Sequence, residues 1–429
     1  MTLLRAFALL ALAVAPLSAA DDFPLVEAQE CRPRAGWPNF FARARTPGAT
    51  VRVAYLGGSI TAQPGWRPKT LAHFQKTWPQ AKFEEIHAAI GGTGSDLGVC
   101  RLRQDVLDHQ PDLLLVEFAV NDGGAAPEQI QRCMEGIVRQ TWRALPDCDI
   151  GFVYTITEAL VPPLLEGKFQ RSASAMEKVA DHYGLPTIHL ALEVAKLARE
   201  GKLEWRAKLP KTDAEKQALG GKFVFAPDSV HPHPETGHEL YLQAVARSLG
   251  PIEAASAKPV THTLAAPLKA DNYERAALVP IRASMVSAGF RRLDPQTDAF
   301  GKRWTNRLTS LHQAVKPGEV LSFRFKGTRC AIYDVIGPDS GQVIVTLDDQ
   351  PPRVVSRFDA YCTYHRLSSF VVGTDLPDTV HTVRIELHAE SPDKAKILAQ
   401  RQQTIDKPER FAGTAFHPGA LLLVGEIVE

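Results

Sequence analysis

The chain has 429 residues, too many for one ordinary hydrophobic core, so two domains are expected. Hydrophobic residues make up 45% and charged residues 23%, which is the balance of a soluble globular protein. The 49 Lys and Arg residues nearly cancel the 48 Asp and Glu residues, so the charge argues against a polyanionic partner such as nucleic acid.

Residues 1–20 have the pattern of an export signal. Arg5 precedes an apolar run over residues 6–17, and Ser18-Ala19-Ala20 forms a small-residue cleavage site. The run is shorter than the ~20 residues of a membrane-spanning helix, and no later segment is long and apolar enough to cross a bilayer. We therefore expect a secreted or periplasmic protein without a membrane span; an uncleaved anchor is the alternative.

Export permits disulfides among the six cysteines. Two candidate pairs are Cys330 with Cys362 and Cys133 with Cys148. The alternative is that several of the cysteines are buried free thiols.

Residues 51–249 alternate buried strands with amphipathic helices, which predicts an α/β layered fold with a parallel sheet. The near-continuous apolar run over residues 113–118 is typical of a strand covered on both faces. The predicted strands span residues 51–56, 82–88, 113–118, 150–156 and 186–190. The predicted helices span residues 69–78, 101–107, 128–145, 173–182 and 238–249.

Residues 199–221 are Lys-rich and weakly patterned, and we interpret them as a surface insertion, either a solvated loop or a lid. Residues 254–277 are predicted to be a linker. The catalytic domain is thus expected over residues 21–253, and residues 278–429 form an all-β sandwich or jelly roll. Its predicted strands span residues 320–325, 330–335, 342–347, 354–358, 369–372, 380–387 and 421–427.

Ser59 directly follows the first predicted strand and two glycines, Gly57 and Gly58. Small residues permit a sharp turn that exposes the hydroxyl at the carboxyl edge of the sheet, where ligands bind in open α/β folds. Ser59 is therefore a candidate nucleophile; the alternative is a residue that only caps the following helix.

Two further motifs follow predicted strands in the same way. Gly91-Gly92 offers backbone N–H groups that an oxyanion can approach, because no Cβ is in the way. Asn121 offers a side-chain amide, and its neighbour Asp122 is interpreted as a structural turn residue. Taken singly, either motif is also compatible with an ordinary turn.

Asp228 and His231 are three residues apart, so a turn brings their side chains together. The carboxylate would then fix the imidazole tautomer, and the other ring nitrogen would act as general base towards Ser59. His233 and His238 are competing bases. Metal binding by this histidine cluster is the alternative, but no Cys or second carboxylate cluster completes a coordination shell, so no metal is expected.

The combination of these motifs resembles the SGNH/GDSL hydrolase superfamily. The resemblance covers residues 51–249 and matches the catalytic serine to Ser59, the block-two glycine to Gly92, the block-three asparagine to Asn121, and the block-five pair to Asp228 and His231. It implies a three-layer α/β/α fold, no cofactor, and ester hydrolysis with an oxyanion hole of Ser59 N–H, Gly92 N–H and the Asn121 amide.

The chain departs from the family pattern at two places. Gly58 replaces the Asp of the Gly-Asp-Ser form, and Ala119-Val120 stands where the family usually has Gly before Asn-Asp.

An exported SGNH-like domain with a β-sandwich is similar to microbial carbohydrate esterases, so the predicted partner is an acylated polysaccharide or oligosaccharide. Trp66 and Arg101 are candidate substrate-lining residues; a core position and a surface ion pair are their alternatives. Trp304, Tyr361 and Tyr364 are candidates for a sugar-stacking face. The competing functions are a lipase or thioesterase acting on longer acyl chains, and a non-catalytic carbohydrate-binding protein.

Overall fold

The structure is a computed structural model that describes residues 23–429, and the predicted signal peptide lies outside the described residues. The N-terminal part is an α/β domain and the C-terminal part is built of antiparallel strands, as predicted. Within residues 23–429, no helix has both the length and the hydropathy needed to span a membrane.

The α/β domain is built around a six-stranded sheet with the order β1-β6-β5-β4-β2-β3. Strands β2 to β6 are parallel, and only the edge strand β1 is antiparallel. Every residue of β4 and β5 is buried, because helices cover both faces of the sheet. The strands are β1 Cys31–Arg32, β2 Thr50–Gly57, β3 Lys82–Ala89, β4 Leu113–Glu117, β5 Asp149–Tyr154 and β6 Thr187–His189.

The helices of this domain contact one another in two groups, α4 with α5 and α7 on one face, and α3 with α10 and α8 on the other. Their ends follow familiar rules: α5 begins with Pro127, and α7 is followed by Gly184 in the left-handed conformation. The helices are α1 Pro38–Ala44, α2 Ser59–Ala62, α3 Trp66–Thr77, α4 Ser95–Asp105, α5 Pro127–Ala144, α6 Pro162–Leu165, α7 Arg171–Tyr183, α8 Leu192–Arg199, α9 Asp213–Ala218 and α10 Gly237–Ala255.

The insertion predicted as an unpatterned loop contains regular structure. A two-stranded parallel ribbon, β7 Leu203–Arg206 with β8 Phe223–Ala226, encloses the exposed helix α9. A capping box between Thr212 and Glu215 starts that helix. The prediction failed because a ribbon of two four-residue strands gives too short a pattern to detect.

The C-terminal domain consists of a seven-stranded antiparallel sheet and a separate two-stranded sheet, which fit a β-sandwich with its own apolar core. Its strands are β9 Ala276–Pro280, β10 Arg291–Arg292, β11 His312–Gln313, β12 Val320–Ile336, β13 Gln342–Leu347, β14 Arg353–Ser356, β15 Arg366–Gly373, β16 Thr379–Leu387 and β17 His417–Val428. Three short helices complete it, α11 Ala299–Lys302, α12 Lys394–Ala399 and α13 Pro408–Phe411.

The long strand β12 corrects the prediction of two separate strands. Its first half pairs with β16 and its second half with β15, while β17 runs along its other side. Gly327 does not turn the chain between two strands. It lies where β12 crosses β17, and a Cβ there would be 2.2 Å from the carbonyl oxygen of Val424. The glycine therefore permits a close backbone approach at the bend.

The two domains share one continuous apolar core. Helix α4 packs against β9 and β17, and Leu97 and Val99 of that helix belong to the same buried cluster as Tyr333 and Leu422 of the β-domain. This contact fixes the β-domain beside the loop that precedes α4.

Both candidate disulfides are wrong. All six cysteines, which lie within the described residues, are free, and five of them are buried. Burial raises the pKa of the Cys133 and Cys148 thiols, so these side chains behave as small apolar groups.

Candidate active site

The candidate nucleophile lies at the carboxyl end of β2, in the middle of the parallel sheet. Strand β2 ends at Gly57, and Ser59 is the first residue of the short helix α2. A Cβ at Gly57 would lie 2.8 Å from the Glu117 carbonyl oxygen, so a larger residue would force this turn away from β4. The sharp strand-to-helix turn thus leaves the Ser59 side chain partly exposed at the sheet edge.

A buried carboxylate supports this turn from below. Glu117, the last residue of β4, is fully buried and accepts hydrogen bonds from the hydroxyls of Thr61 (2.8 Å) and Thr155 (2.7 Å). Burial raises the pKa of Glu117, although the hydrogen bonds from Thr155, Thr61 and the Gly58 N–H oppose the rise. The carboxyl group therefore links both sides of Ser59 to the neighbouring strand.

The Ser59 hydroxyl lies 2.9 Å from Nε2 of His231, and Nδ1 of His231 lies 2.7 Å from Oδ2 of Asp228. A carboxylate can only accept, so Nδ1 carries the proton and the neutral Nε2 is free to accept from the serine. The three side chains therefore form a continuous hydrogen-bonded chain from hydroxyl to carboxylate.

The Asp228–His231 pair is held by a turn of four residues. Oδ1 of Asp228 accepts from the backbone N–H groups of Val230 (3.0 Å) and His231 (2.8 Å). Ser229 between them has a φ of 65°, an uncommon left-handed conformation for a residue other than glycine. Partial burial raises the pKa of Asp228, but the hydrogen bonds from His231 and Val230 outweigh it and hold the pKa below its usual value. Asp228 is thus ionised throughout the neutral range.

The predicted oxyanion donors lie on two loops next to the serine. Gly92 has a φ of +73°, and a Cβ on its neighbour Gly91 would lie 3.6 Å from the Cβ of Ser59. The Asn121 side chain lies against Gly58, where a Cβ would be 1.8 Å from its Oδ1. The two loops that the resemblance assigns to the oxyanion hole therefore lie next to Ser59.

This packing also explains one departure from the family pattern. The volume beside the Cα of Gly58 is filled by the Asn121 amide, so an aspartate at position 58 would displace it.

Asp122 joins the two loops that carry the predicted oxyanion donors Gly92 and Asn121. Its Oδ1 accepts from the Ser95 N–H (3.0 Å) at the start of α4, directly after the loop that carries Gly92. Burial raises the pKa of Asp122 to about 7 against the opposing hydrogen bonds from Ser95. Asp122 is therefore more than a turn residue, because it ties the loop after β3 to the loop after β4.

The competing bases are occupied elsewhere. Nε2 of His233 bonds to the Ala207 carbonyl oxygen (2.9 Å), next to the ribbon β7–β8. His238 is buried, and its Nδ1 accepts from the Trp66 N–H (3.0 Å). Burial lowers the pKa of His238 to about 3, so it remains neutral. Neither ring is hydrogen-bonded to Ser59.

The structure corrects the two candidate substrate-lining residues. Trp66 is 0% exposed and its ring packs edge-on against Tyr55. Arg101 is 1% exposed and pairs with Asp105 (2.8 Å) one turn along α4. Both side chains point into the protein because the helices that carry them turn these positions towards the core.

Within residues 23–429, no group of three or more His, Cys, Asp or Glu side chains is arranged to hold a metal ion. The site offers a hydroxyl beside an imidazole and an ionised carboxylate behind that imidazole.

A family profile matches part of the chain. The profile of the GDSL-like Lipase/Acylhydrolase family matches residues 55–240. This region is a GDSL-like domain. The predicted resemblance is thereby confirmed, and the match supports a carboxylic ester hydrolase. Searching curated proteins returned no match.

The arrangement of two domains also has solved counterparts. A crystal structure described as a two-domain esterase active on acetylated mannans, co-crystallised with mannopentaose, has a TM-score of 0.68 at 19% identity and covers 92% of this chain and 97% of its own. A second crystal structure, described as a two-domain esterase active on acetylated mannans, has a TM-score of 0.68 at 19% identity. It covers 91% of this chain and 94% of its own. At this identity the similarity shows that the fold is shared across both domains.

Proposed function

We propose that the protein is an exported serine esterase that removes acetyl groups from carbohydrate. The observation that supports this most is the chain of hydrogen bonds from Ser59 through His231 to Asp228, with the loops that carry Gly92 and Asn121 next to the serine. The acetylated-mannan activity named for the structural counterparts supports the choice of substrate class.

In the proposed reaction, Ser59 Oγ attacks the ester carbonyl carbon and transfers its proton to Nε2 of His231. Asp228 holds the ring and stabilises the imidazolium. The N–H groups of Ser59 and Gly92 and the Asn121 amide donate to the oxyanion of the tetrahedral intermediate. Collapse of the intermediate expels the sugar hydroxyl, which takes the proton from Nε2 and leaves acetyl-Ser59.

A water molecule completes the cycle. Nε2 of His231 removes its proton as the oxygen attacks the acyl carbonyl, and the second intermediate collapses to acetate and free Ser59. The imidazole returns its proton to the serine oxygen, so no cofactor is required by this scheme. The N-terminal signal pattern supports export of the protein, and acylated polysaccharide is its proposed extracellular or periplasmic partner.

The test is acetate release from a panel of acetylated polysaccharides that includes mannan, with the parent, Ser59→Ala and the exposed control Ser391→Ala. We expect release by the parent and by the control, and a loss of at least about 10⁴-fold in Ser59→Ala. A chelator in the same assay should leave the rate unchanged.

Other results would identify the competing functions. Preference for long chains in an acyl-length series would indicate a lipase or thioesterase. Binding of polysaccharide by both the parent and Ser59→Ala, with no hydrolysis by either, would indicate a carbohydrate-binding protein and overturn the proposal.

A further inference from the structure

A cleft lies between the GDSL-like domain and the β-domain, directly beside the predicted oxyanion loop. Its volume is about 260 Å³. One wall consists of the loop from Gly92 to Gly94 and the first turn of α4, and the other of Tyr333 in β12 together with Arg366 to Ser369 in β15. We call this space the Arg366 cleft. Because Gly92 belongs to the wall, the cleft opens next to the atoms that would bind the ester.

The walls of the Arg366 cleft present hydroxyl, carboxylate and guanidinium groups. Thr93 and Asp96 supply them from the GDSL-like domain, and Arg366, Ser368 and Ser369 from the β-domain. Such groups pair with the hydroxyls of a sugar ring, whereas a hydrocarbon chain would strip water from them without replacing the lost hydrogen bonds. The small volume suits one sugar residue better than a long acyl chain.

Contacts on both sides hold the walls of the cleft in place. Arg366 forms an ion pair with Asp359, Arg329 of the β-domain reaches Asp96 across the interface (3.4 Å), and the shared core holds both walls. A site whose walls are fixed before binding loses less entropy when it captures its ligand.

We propose that the Arg366 cleft binds the sugar residue next to the acetylated one, so that the β-domain supplies part of the substrate site. This inference rests on the proposed function. It assigns to the β-domain selection of the carbohydrate, and to the GDSL-like domain the chemistry on the ester.

The test compares kcat/KM on acetylated manno- and xylo-oligosaccharides with kcat/KM on p-nitrophenyl acetate, which has no neighbouring sugar residue to place in the cleft. In Arg366→Ala we expect the ratio of the two values to fall at least about tenfold, the usual effect of losing a hydrogen bond to a charged group. Ser369→Trp, which fills the cleft from an exposed position, should lower the same ratio even if Arg366→Ala folds poorly.

Two matched controls lie outside the cleft. Arg384→Ala removes a partly exposed arginine from β16, and Val371→Trp adds the same bulk two residues further along β15. Both should keep the parent ratio. A ratio unchanged within twofold in both cleft variants would overturn the inference, while the ester assay with Ser59→Ala independently tests the proposed function.

If the parent hydrolyses no oligosaccharide, calorimetric binding of deacetylated oligosaccharides replaces the rate measurement. Binding that is lost in Ser369→Trp and kept in Val371→Trp would support the cleft, and absence of binding by the parent would overturn it.

Discussion

Two aspartates near Ser59 show how differently the two sides of the site are built. Asp122 is buried, and burial raises its pKa to about 7. Asp228 is 47% exposed along its side chain, and hydrogen bonds from His231 and Val230 outweigh the effect of partial burial and lower its pKa. At neutral pH, Asp122 is thus close to its pKa, whereas Asp228 is ionised.

The difference follows from how each side obtains its geometry. Ser59, Gly92 and Asn121 are placed by the packed ends of three strands and by buried polar groups between them. His231 is placed by a four-residue turn whose hydrogen bonds are local and partly exposed. The positions of Ser59, Gly92 and Asn121 therefore depend on close packing, whereas the position of His231 depends on the Asp228 carboxylate.

The largest expected loss of kcat follows from changing Asp228, on the partly exposed side of the site. Asp228→Asn keeps the shape of the turn, but its amide donates towards Nδ1 and stabilises the wrong imidazole tautomer. We expect kcat to fall about 10⁴-fold, as the equivalent change does in serine proteases, with little change in the thermal midpoint. The exposed Asp213→Asn on α9 is the control. A loss of less than tenfold would show that Asp228 does not orient the base.

The next largest loss of kcat is expected from a change in the packing between Gly58 and Asn121. In Gly58→Ala the new Cβ would lie 1.8 Å from Oδ1 of Asn121 and must displace that amide. We expect kcat to fall ~10²–10³-fold, the effect of losing one oxyanion donor. In the control Gly124→Ala the added methyl meets no atom within 4 Å. Equal kcat values in the two variants would mean that Asn121 is not a donor in the reaction.

The smallest effect is on stability. The raised pKa of Asp122 means that the folded protein retains a proton that the unfolded chain loses near pH 3.8. As pH rises from about 4 to 7, the free energy of unfolding of the parent should therefore fall relative to that of Asp122→Asn. Urea titrations of both proteins at several pH values measure this difference. A difference that is independent of pH would contradict the raised pKa.

The sequence predicts the candidate site residues best where they directly follow the end of a strand. Ser59, Gly92 and Asn121 each come directly after an apolar run, and parallel strands bring such positions to one edge. Asp228 and His231 were recognisable because their spacing allows a single turn. The structure brings all five side chains or backbone groups into one site, and the fold class predicted from the same pattern is confirmed.

What the sequence could not predict depends on tertiary packing. Glu117 looks like the polar end of a strand, and nothing local shows that two threonines and the Gly58 N–H converge on it. Trp66 and Arg101 were misplaced because nearness to a motif along the chain does not reveal which way a helix faces. The wall formed by Arg366 and its neighbours is about 270 residues from Gly92, and only the docking of two domains creates it.

The brevity of the turn from Asp228 to His231 has a consequence for how this enzyme can change over evolutionary time. His231 and Asp228 belong to one tetrapeptide. Insertions or deletions in the preceding ribbon and helix therefore leave the distance between the two side chains unchanged. The ribbon and helix before the turn can consequently change in length without altering the spacing between Asp228 and His231.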